Sequence, residues 1–250
     1  MLANKVVMIT GVGSGLGRAL SAAFAAEGSR VIGIARREES LRETAALIES
    51  DAFSGHVADV ASFDEIAAVV ARYERIDIAF NNAAVYPRIS FLDESSADWA
   101  RAIDVNVNGV ANVCKALLPG MIANGYGRIY NVGSFADVAP IADSAAYSAS
   151  KGAVRALTKA IAADLRGGDA DIEVHEWVPG HLKTQMSGFT GIEPEVAAAW
   201  GVQLAAVEHA RTPNCIFEND REWLPPKGLK QRVLDKLRAL LRFGRDGPVR

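Results

Sequence analysis

The sequence predicts a single α/β domain built on a doubly wound parallel sheet flanked by helices. Two observations predict it: short β-branched runs alternate with alanine- and leucine-rich stretches of helical length, and the first strand candidate is continuously apolar. Continuous apolarity is typical of parallel strands buried on both faces, and strand–helix alternation at this spacing favours right-handed crossovers. A chain of 250 residues is long for one compact domain and short for two with separate cores.

Each element has a local signal. Residues 6–9 are all apolar, which indicates the first buried strand, and a glycine-rich turn separates them from an alanine-rich helix at 16–27. The same alternation then predicts strands at 30–35, 52–57, 76–80, 128–132 and 172–178, and helices at 38–50, 63–73, 97–124 and 144–166. A helix at 194–210 and a short strand at 214–218 complete a predicted domain spanning residues 1–218.

Composition argues against several other classes of protein. The chain has 27 basic and 30 acidic residues, a net charge of −3 that disfavours a general nucleic-acid binder. Two cysteines cannot form a disulfide framework, and no apolar run approaches the ~20 residues that span a bilayer. Four scattered histidines, without the spacing of zinc ligands, predict no metal site. We therefore expect a cytoplasmic protein that binds no nucleic acid.

Residues 219–250 form a tail of different composition. From residue 227 to residue 250 there are eight basic and two acidic residues. One helical face of this segment is apolar and consists of Leu229, Val233, Leu234, Leu237, Leu240 and Leu241. An amphipathic helix packed on the domain or on another subunit explains the pattern. A peripheral membrane anchor that binds anionic lipid, or a docking site for a protein partner, remains an alternative for 227–250.

The turn after the first strand has the features of a dinucleotide site. The segment 10–17 reads TGVGSGLG and lies between a strand and a helix. Small residues there let the backbone approach a pyrophosphate, and the helix N-terminus supplies free N–H groups. The spacing is T-G-x-x-x-G-x-G and not the usual G-x-G-x-x-G. A tight turn without a ligand is the alternative, and its position between strand and helix disfavours it.

The end of the second strand indicates which dinucleotide is preferred. Ala35 stands where NAD-binding folds carry an acidic residue for the ribose 2′-hydroxyl, and Arg36 and Arg37 follow it. A guanidinium can donate two hydrogen bonds to a 2′-phosphate. The sequence therefore favours NADP(H) over NAD(H). The alternative is that both arginines begin a solvated helix and pair with Glu38 or Glu39.

Three polar residues suggest acid–base chemistry. Tyr147 and Lys151 are four residues apart in a predicted helix, so their side chains lie on one face. A phenol with a pKa near ~10 is a poor acid–base catalyst at neutral pH, and a neighbouring ammonium lowers that pKa. Ser134 follows the fifth strand, at the carboxyl end where such folds bind ligands. Without Ser134, chance spacing on an exposed helix face would explain the Tyr–Lys pair.

These motifs resemble those of the short-chain dehydrogenase/reductase family over about residues 3–186. Four further segments also resemble family motifs: Asp59-Val60, Asn81-Asn82-Ala83-Ala84, Asp104-Val105-Asn106-Val107 and Pro179-Gly180-His181-Leu182-Lys183-Thr184. With the glycine-rich turn and the Ser–Tyr–Lys set, six motifs occur in the family's order and spacing. The resemblance implies a Rossmann-type fold and a catalytic set of Asn106, Ser134, Tyr147 and Lys151. It implies cofactor contacts from Gly11, Ser14, Gly15, Leu16, Gly17, Arg36, Arg37, Asp59, Val60, Asn82, Ala83, Ala84, Tyr147, Lys151, Pro179, Gly180, Leu182 and Thr184.

The resemblance also implies a role for each catalytic residue. Ser134 and Tyr147 would hold a carbonyl oxygen, with Tyr147 as the proton donor. Lys151 would bond the nicotinamide ribose and lower the pKa of the tyrosine. Asn106 would hold a water molecule that joins Lys151 to solvent, and Thr184 would hold the nicotinamide carboxamide.

The function expected from these features is NADP(H)-dependent interconversion of a carbonyl and an alcohol on a small-molecule substrate. The family's pocket-lining segments contain Tyr86, Phe135, Val138 and Phe189, which favours an apolar or aromatic substrate. An NAD(H)-dependent alcohol dehydrogenase and an acyl or polyketide ketoreductase are alternatives, as is a non-catalytic module that senses NADP(H). We expect a homodimer or a homotetramer.

Overall fold

The structure, a computed structural model, describes residues 2–48, 50–207 and 215–223. The strands are β1 (Val6–Thr10), β2 (Arg30–Ala35), β3 (Phe53–Val57), β4 (Ile78–Asn81), β5 (Tyr126–Val132), β6 (Asp171–Val178), β7 (Ile216–Glu218) and β8 (Arg221–Glu222). The α-helices are α1 (Gly15–Ala26), α2 (Glu38–Ile48), α3 (Phe63–Val70), α4 (Ser96–Ile103), α5 (Gly109–Ala123), α6 (Ala145–Asp164) and α7 (Pro194–Ala206).

The strands form one sheet in the order β3-β2-β1-β4-β5-β6-β7-β8. Every neighbouring pair is parallel except β7 with β8. The predicted doubly wound α/β fold is therefore confirmed. The strand order reverses between β1 and β4, and ligands of such sheets bind in the crevice outside the strand ends at this point. The glycine-rich turn follows β1, so it lies at that crevice.

Apolar side chains pack on both faces of the sheet, as the continuous hydrophobicity of the strands predicts. Along β1, Val7 and Ile9 join a core with α1 and α7, whereas Val6 and Met8 join a second core with α3, α5 and α6. Trp177 of β6 is fully buried in the first of these cores. Two cores on opposite faces hold the strand ends in a fixed arrangement.

The helical stretch predicted at 97–124 is present, but its middle is not α-helical. A π-helical turn at Asp104–Asn108 separates α4 from α5. A π turn takes up one extra residue, and such turns occur frequently at functional sites. Asn106 lies within this turn.

Other boundaries differ by a few residues. α3 ends at Val70 and not at residue 73, and β5 begins at Tyr126, two residues before its predicted start. The antiparallel strand β8 was not predicted. Residues 208–214 and the tail from 224, with the predicted amphipathic face of 227–250, lie outside the described residues. Among the residues that are described, no helix is long and apolar enough to cross a membrane.

Candidate active site

The turn between β1 and α1 presents backbone N–H groups to the crevice. Gly11 and Gly15 adopt positive φ angles of 73° and 51°, which glycine tolerates and other residues rarely adopt. Ser14 is the N-cap of α1, and its side chain makes no capping hydrogen bond. No side-chain cap therefore satisfies the first N–H groups of α1, as an anion site requires. The side chain of Leu16 is buried in the core, so only its main chain can face a ligand.

The segment after β4 locks this turn in place. Thr10 Oγ1 accepts hydrogen bonds from the N–H groups of Asn82 and Ala83 at 3.1 and 3.0 Å. Asn82 Nδ2 donates in turn to the main-chain oxygens of Thr10 and Gly11 at 2.9 and 3.3 Å. Two loops that follow different strands are thereby held as one rigid wall. Ala84 continues the second of them.

The two arginines after β2 point to solvent at the rim of the crevice. Arg36 and Arg37 are both exposed. Glu38, one of the two expected alternative partners, pairs instead with Arg42 at 2.6 Å, and no ion pair joins Glu39 to either arginine within the described residues. In the part of the chain that the structure describes, Arg36 and Arg37 form no ion pair, so both guanidinium groups are available to an anion.

Asp59 and Val60 follow β3 on the same side of the sheet. Burial acts to raise the pKa of Asp59, but a hydrogen bond from Ala61 N–H and the charges of Arg101 and Arg36 outweigh it and lower that pKa. Arg101 reaches Asp59 at 3.1 Å. Val60 is buried, and its carbonyl accepts a hydrogen bond from Asn112 Nδ2 at 2.9 Å. The side chain of Val60 is therefore mainly a packing residue.

The loop after β6 forms the opposite wall. It begins with Pro179 and with Gly180, whose φ is 86°, and Leu182 is bridged to Ile192. Thr184 lies beside Gly15: a Cβ on that glycine would be 3.0 Å from Thr184 Cγ2. The two loops therefore approach each other across the crevice.

A cavity of about 700 Å³ opens beside this approach, with Ser14, Gly15 and Thr184 in its wall. Neither Tyr147 nor Lys151 lines it. This cavity extends along α1 towards α7, with Ala22, Ala23 and Ala198 in its wall, so it adjoins the crevice and is not the crevice itself. The turn and the exposed arginines are the features that fit a phosphate-rich dinucleotide.

Tyr147 lies in the first turn of α6 and interacts with Ser134. Burial raises the pKa of the Tyr147 phenol, while the nearby Ser134 hydroxyl acts to lower it. Ser134 Oγ also accepts a hydrogen bond from Ala136 N–H at 3.1 Å, which fixes its rotamer. The ring of Tyr86 stacks on the Tyr147 ring with 4.5 Å between centroids. The phenol is thus held from two sides.

Lys151 is buried one helical turn after Tyr147. Only 4% of its surface is exposed, and its Nζ donates to the carbonyl of Val132 at 2.7 Å. Nζ lies 5.6 Å from the centroid of the Tyr147 ring. Burial lowers the Lys151 pKa from 10.5 to about 8, although the Glu176 carboxylate opposes this shift. The sequence predicts that this ammonium lowers the pKa of the phenol, but in this structure burial dominates and the Tyr147 pKa is raised.

Lys151→Met should stabilise the protein most strongly below pH 8. Between about pH 8 and pH 10.5 the unfolded chain keeps the lysine proton and the folded chain releases it, so wild-type stability rises with pH in this window. The shift corresponds to about 3 kcal/mol at neutral pH, reduced by loss of the hydrogen bond to Val132. Urea unfolding at about pH 7 and about pH 10 measures the difference between the two proteins.

The matched control is Lys115→Met, which removes an exposed lysine from α5. This variant should differ from wild type equally at both pH values. If the stability difference between Lys151→Met and wild type is the same at both pH values, the lysine is not a destabilised buried cation.

Asn106 supports the site through its side chain and does not face the open crevice. It is 1% exposed. Its Oδ1 accepts from Val85 N–H at 2.8 Å, and its Nδ2 donates to Val85 O and Ser150 Oγ, both at 2.9 Å. This side chain therefore joins the loop after β4 to α6, and a relay water at Asn106 stays a prediction.

Two supporting residues, Asn131 and Thr158, were missed by the sequence analysis. Asn131 of β5 accepts from Asn81 Nδ2 at 2.8 Å and donates to Thr158 Oγ1 of α6, also at 2.8 Å. All three side chains are buried. This network joins the ends of β4 and β5 to the helix that carries Tyr147 and Lys151. Polar residues inside two otherwise apolar strands are the signal that could have revealed it.

Comparison with known proteins identifies the family. The profile described as short chain dehydrogenase matches residues 5–193. The chain belongs to this family. It is therefore an NAD(P)-dependent oxidoreductase of the short-chain dehydrogenase type.

Named relatives of this short-chain dehydrogenase come from sequence and structure comparisons. It is 35% identical over 188 residues to 2-keto-3-deoxy-L-fuconate dehydrogenase of Xanthomonas campestris. The aligned region covers 75% of this chain and 61% of that relative. Two solved structures align with TM-scores of 0.79 and 0.78.

The first of these structures is a 3-ketoacyl-(acyl-carrier-protein) reductase from Brucella melitensis complexed with NADH, at 25% identity over 87% of this chain and 97% of that one. The second is a serine dehydrogenase complexed with NADP+, at 26% identity over 90% of this chain and 98% of that one. Both nicotinamide cofactors therefore occur among structures similar to this short-chain dehydrogenase.

Proposed function

We propose that this dehydrogenase uses NADP(H) to interconvert a ketone or aldehyde and the corresponding alcohol, with Tyr147 as general acid and base. The observation that carries the proposal is the placement of Tyr147 one helical turn before the buried Lys151, whose Nζ lies 5.6 Å from the Tyr147 ring centroid, with the Ser134 hydroxyl near the phenol. A non-catalytic module that only senses NADP(H) would need no proton donor, so the presence of these three residues favours an enzyme.

Each residue has a distinct task in this mechanism. The nicotinamide, when bound, supplies the hydride in reduction and accepts it in oxidation. Ser134 and Tyr147 donate hydrogen bonds to the carbonyl oxygen and stabilise its developing negative charge. Tyr147 gives up its proton to that oxygen, and the Lys151 cation stabilises the phenolate that remains. Tyr86 stacks on Tyr147 and holds its ring in place. Asn106 binds Val85 and so holds the loop that carries Tyr86.

The preference for NADP(H) is supported by the exposed arginines after β2. Arg36 and Arg37 make no ion pair within the described residues, and no carboxylate stands at Ala35 to accept the ribose 2′-hydroxyl of NAD(H). A 2′-phosphate would give these cations a partner.

Cofactor titration tests this preference. Purified wild-type protein should bind NADPH at least tenfold more tightly than NADH, a difference of about 1.4 kcal/mol, as measured by nucleotide fluorescence. Arg36→Ala should abolish the preference by weakening NADPH and leaving NADH unchanged. Arg42→Ala is the matched control, because Arg42 is an exposed arginine of α2 that already pairs with Glu38. It should leave both affinities unchanged.

The other results of this titration would each overturn part of the proposal. Equal binding of the two nucleotides, or tighter NADH binding, would refute the role of Arg36. Binding of neither nucleotide would refute the proposed activity itself.

The rate at which the enzyme oxidises NADPH in the presence of cyclohexanone, benzaldehyde or ethyl acetoacetate then tests the reaction class. These probes represent an aliphatic ketone, an aromatic aldehyde and a β-keto ester. The names of similar proteins include a 2-keto-3-deoxy-L-fuconate dehydrogenase and a 3-ketoacyl-(acyl-carrier-protein) reductase, so a carbonyl substrate is consistent with them.

A further inference from the structure

A buried ion cluster lies directly beneath Ser134. Arg155 follows Lys151 by one turn of α6, and its guanidinium contacts two carboxylates. Its Nε is 2.9 Å from Glu176 Oε2, its Nη2 is 3.1 Å from Glu176 Oε1, and its Nη1 is 3.1 Å from Asp137 Oδ2. The side chains of Arg155, Asp137 and Glu176 are 12%, 13% and 1% exposed. We call Asp137, Arg155 and Glu176 the ion cluster.

The ion cluster contacts the segment 133–137 at three successive points. Before Ser134, Gly133 packs against Glu176 so closely that a Cβ there would overlap Glu176 Oε1. At Ser134 itself, Arg155 Nη2 donates to the main-chain oxygen at 3.2 Å. After Ser134, Asp137 supplies the second carboxylate from the 3-10 turn Phe135–Asp137. A single guanidinium thus connects this segment to α6 and β6.

Stability alone does not account for such an arrangement. Burying three charges has a large desolvation cost, which the attraction between them offsets only when the geometry is good, and apolar replacements are often as stable. The forked guanidinium, in contrast, imposes a defined geometry on every acceptor it contacts. Geometry is therefore the main contribution of the ion cluster.

We propose that Arg155 is a positioning residue for Ser134, because its guanidinium fixes the segment 133–137 relative to Tyr147 on the same helix. The expected effect on turnover rests on the proposed function, whereas the ordering of residues 133–137 by Arg155 does not. Without the fork, the Ser134 hydroxyl would lose its defined position relative to the Tyr147 hydroxyl.

The decisive variant is Arg155→Lys. Lysine keeps the positive charge between Glu176 and Asp137, but a single ammonium cannot contact both carboxylates and the Ser134 carbonyl in the fork's geometry. If Arg155 only balances charge, the lysine variant should behave as wild type. If Arg155 positions Ser134, the lysine variant should lose the positioning while the protein stays folded.

Arg128→Lys is the matched control. Arg128 is 5% exposed and contacts two carboxylates, Asp171 at 2.7 Å and Glu173 at 3.2 Å. It therefore matches Arg155 in burial and in partners, but it lies near the start of β5, whereas Ser134 follows the end of that strand. General disturbance of a buried ion pair should affect both variants equally.

Hydrogen exchange of the backbone amides of residues 133–139, measured on the full chain, tests positioning without any need for turnover. In Arg155→Lys these amides should exchange about tenfold faster or more, and in Arg128→Lys they should exchange at the wild-type rate. Unchanged exchange in Arg155→Lys would overturn the proposal, as would an equal acceleration in the control. If Arg155→Lys does not fold, Asp137→Asn replaces it, with the same expected acceleration and the same contradicting result.

Kinetics then separates positioning from binding. With the probe that wild type reduces fastest, Arg155→Lys should lower kcat about tenfold or more while the Kd for NADPH stays unchanged. A loss confined to NADPH affinity, with kcat retained, would contradict positioning of Ser134. Absence of turnover in wild type with all three probes would refute the proposed function and leave the exchange comparison to decide on Arg155.

Discussion

Tyr147→Phe is expected to lower turnover by at least about a hundredfold, because the variant lacks the general acid. The phenyl ring keeps its stacking on Tyr86, so the wall of the site should not collapse. NADPH affinity should therefore stay close to the wild-type value. Steady-state kinetics with the fastest carbonyl probe, together with a fluorescence titration of NADPH, measures the two quantities separately.

The control for this variant is Tyr73→Phe. It removes a hydroxyl that interacts with His56 at the edge of the sheet and is remote from Ser134 and Lys151. Turnover in the control should equal that of wild type. Activity of Tyr147→Phe within tenfold of wild type would contradict its assignment as the proton donor.

Gly17→Ala is expected to destabilise the protein by about 1–3 kcal/mol and to weaken dinucleotide binding. A Cβ at this position would overlap the carbonyl oxygen of Gly11 and lie 2.6 Å from Asn82 Nδ2. Both neighbours belong to the locked wall of the crevice, so they cannot move without displacing the turn that faces the phosphates. Chemical denaturation and NADPH titration measure the two effects.

The sign of this effect is what makes it informative. Alanine in place of glycine within an exposed helix normally stabilises by roughly 1 kcal/mol. Gly120→Ala in α5 provides that comparison, since a Cβ there would meet no atom within 4 Å. We expect Gly120→Ala to stabilise the protein and Gly17→Ala to destabilise it. Stabilisation by both substitutions would show that the crevice wall is not as tight as the geometry indicates.

The sequence was sufficient for the fold because the signals involved are local. Continuous apolar strands, alternating with helices that have an apolar face, leave few alternatives to a doubly wound sheet. The pairing of Tyr147 with Lys151 could also be predicted from the sequence, since a spacing of four in a helix places both side chains on one face. The position of Ser134 followed from the end of β5.

The remaining features depend on contacts between residues that are distant in sequence. Nothing local to Arg155 or Glu176 indicates that they meet under Ser134, because their pairing is decided by where α6 packs on β6. The π turn was missed for a different reason: the residues 104–108 have ordinary helical character, and the extra residue appears only in the hydrogen-bond register. The two residues of β8 are too short a run for periodicity to detect.

The π turn makes the helix less regular, and it also places Asn106 in its present contacts. Loss of one residue within 104–108 would restore an uninterrupted α-helix, which is the more stable backbone arrangement. Because the π turn absorbs the extra residue, α4 and α5 would keep their present faces, and Arg101 would still face Asp59. The side chains within the turn would move, and Asn106 among them would lose its contacts with Val85 and Ser150. A one-residue deletion here would therefore give a more regular helix and a less ordered crevice.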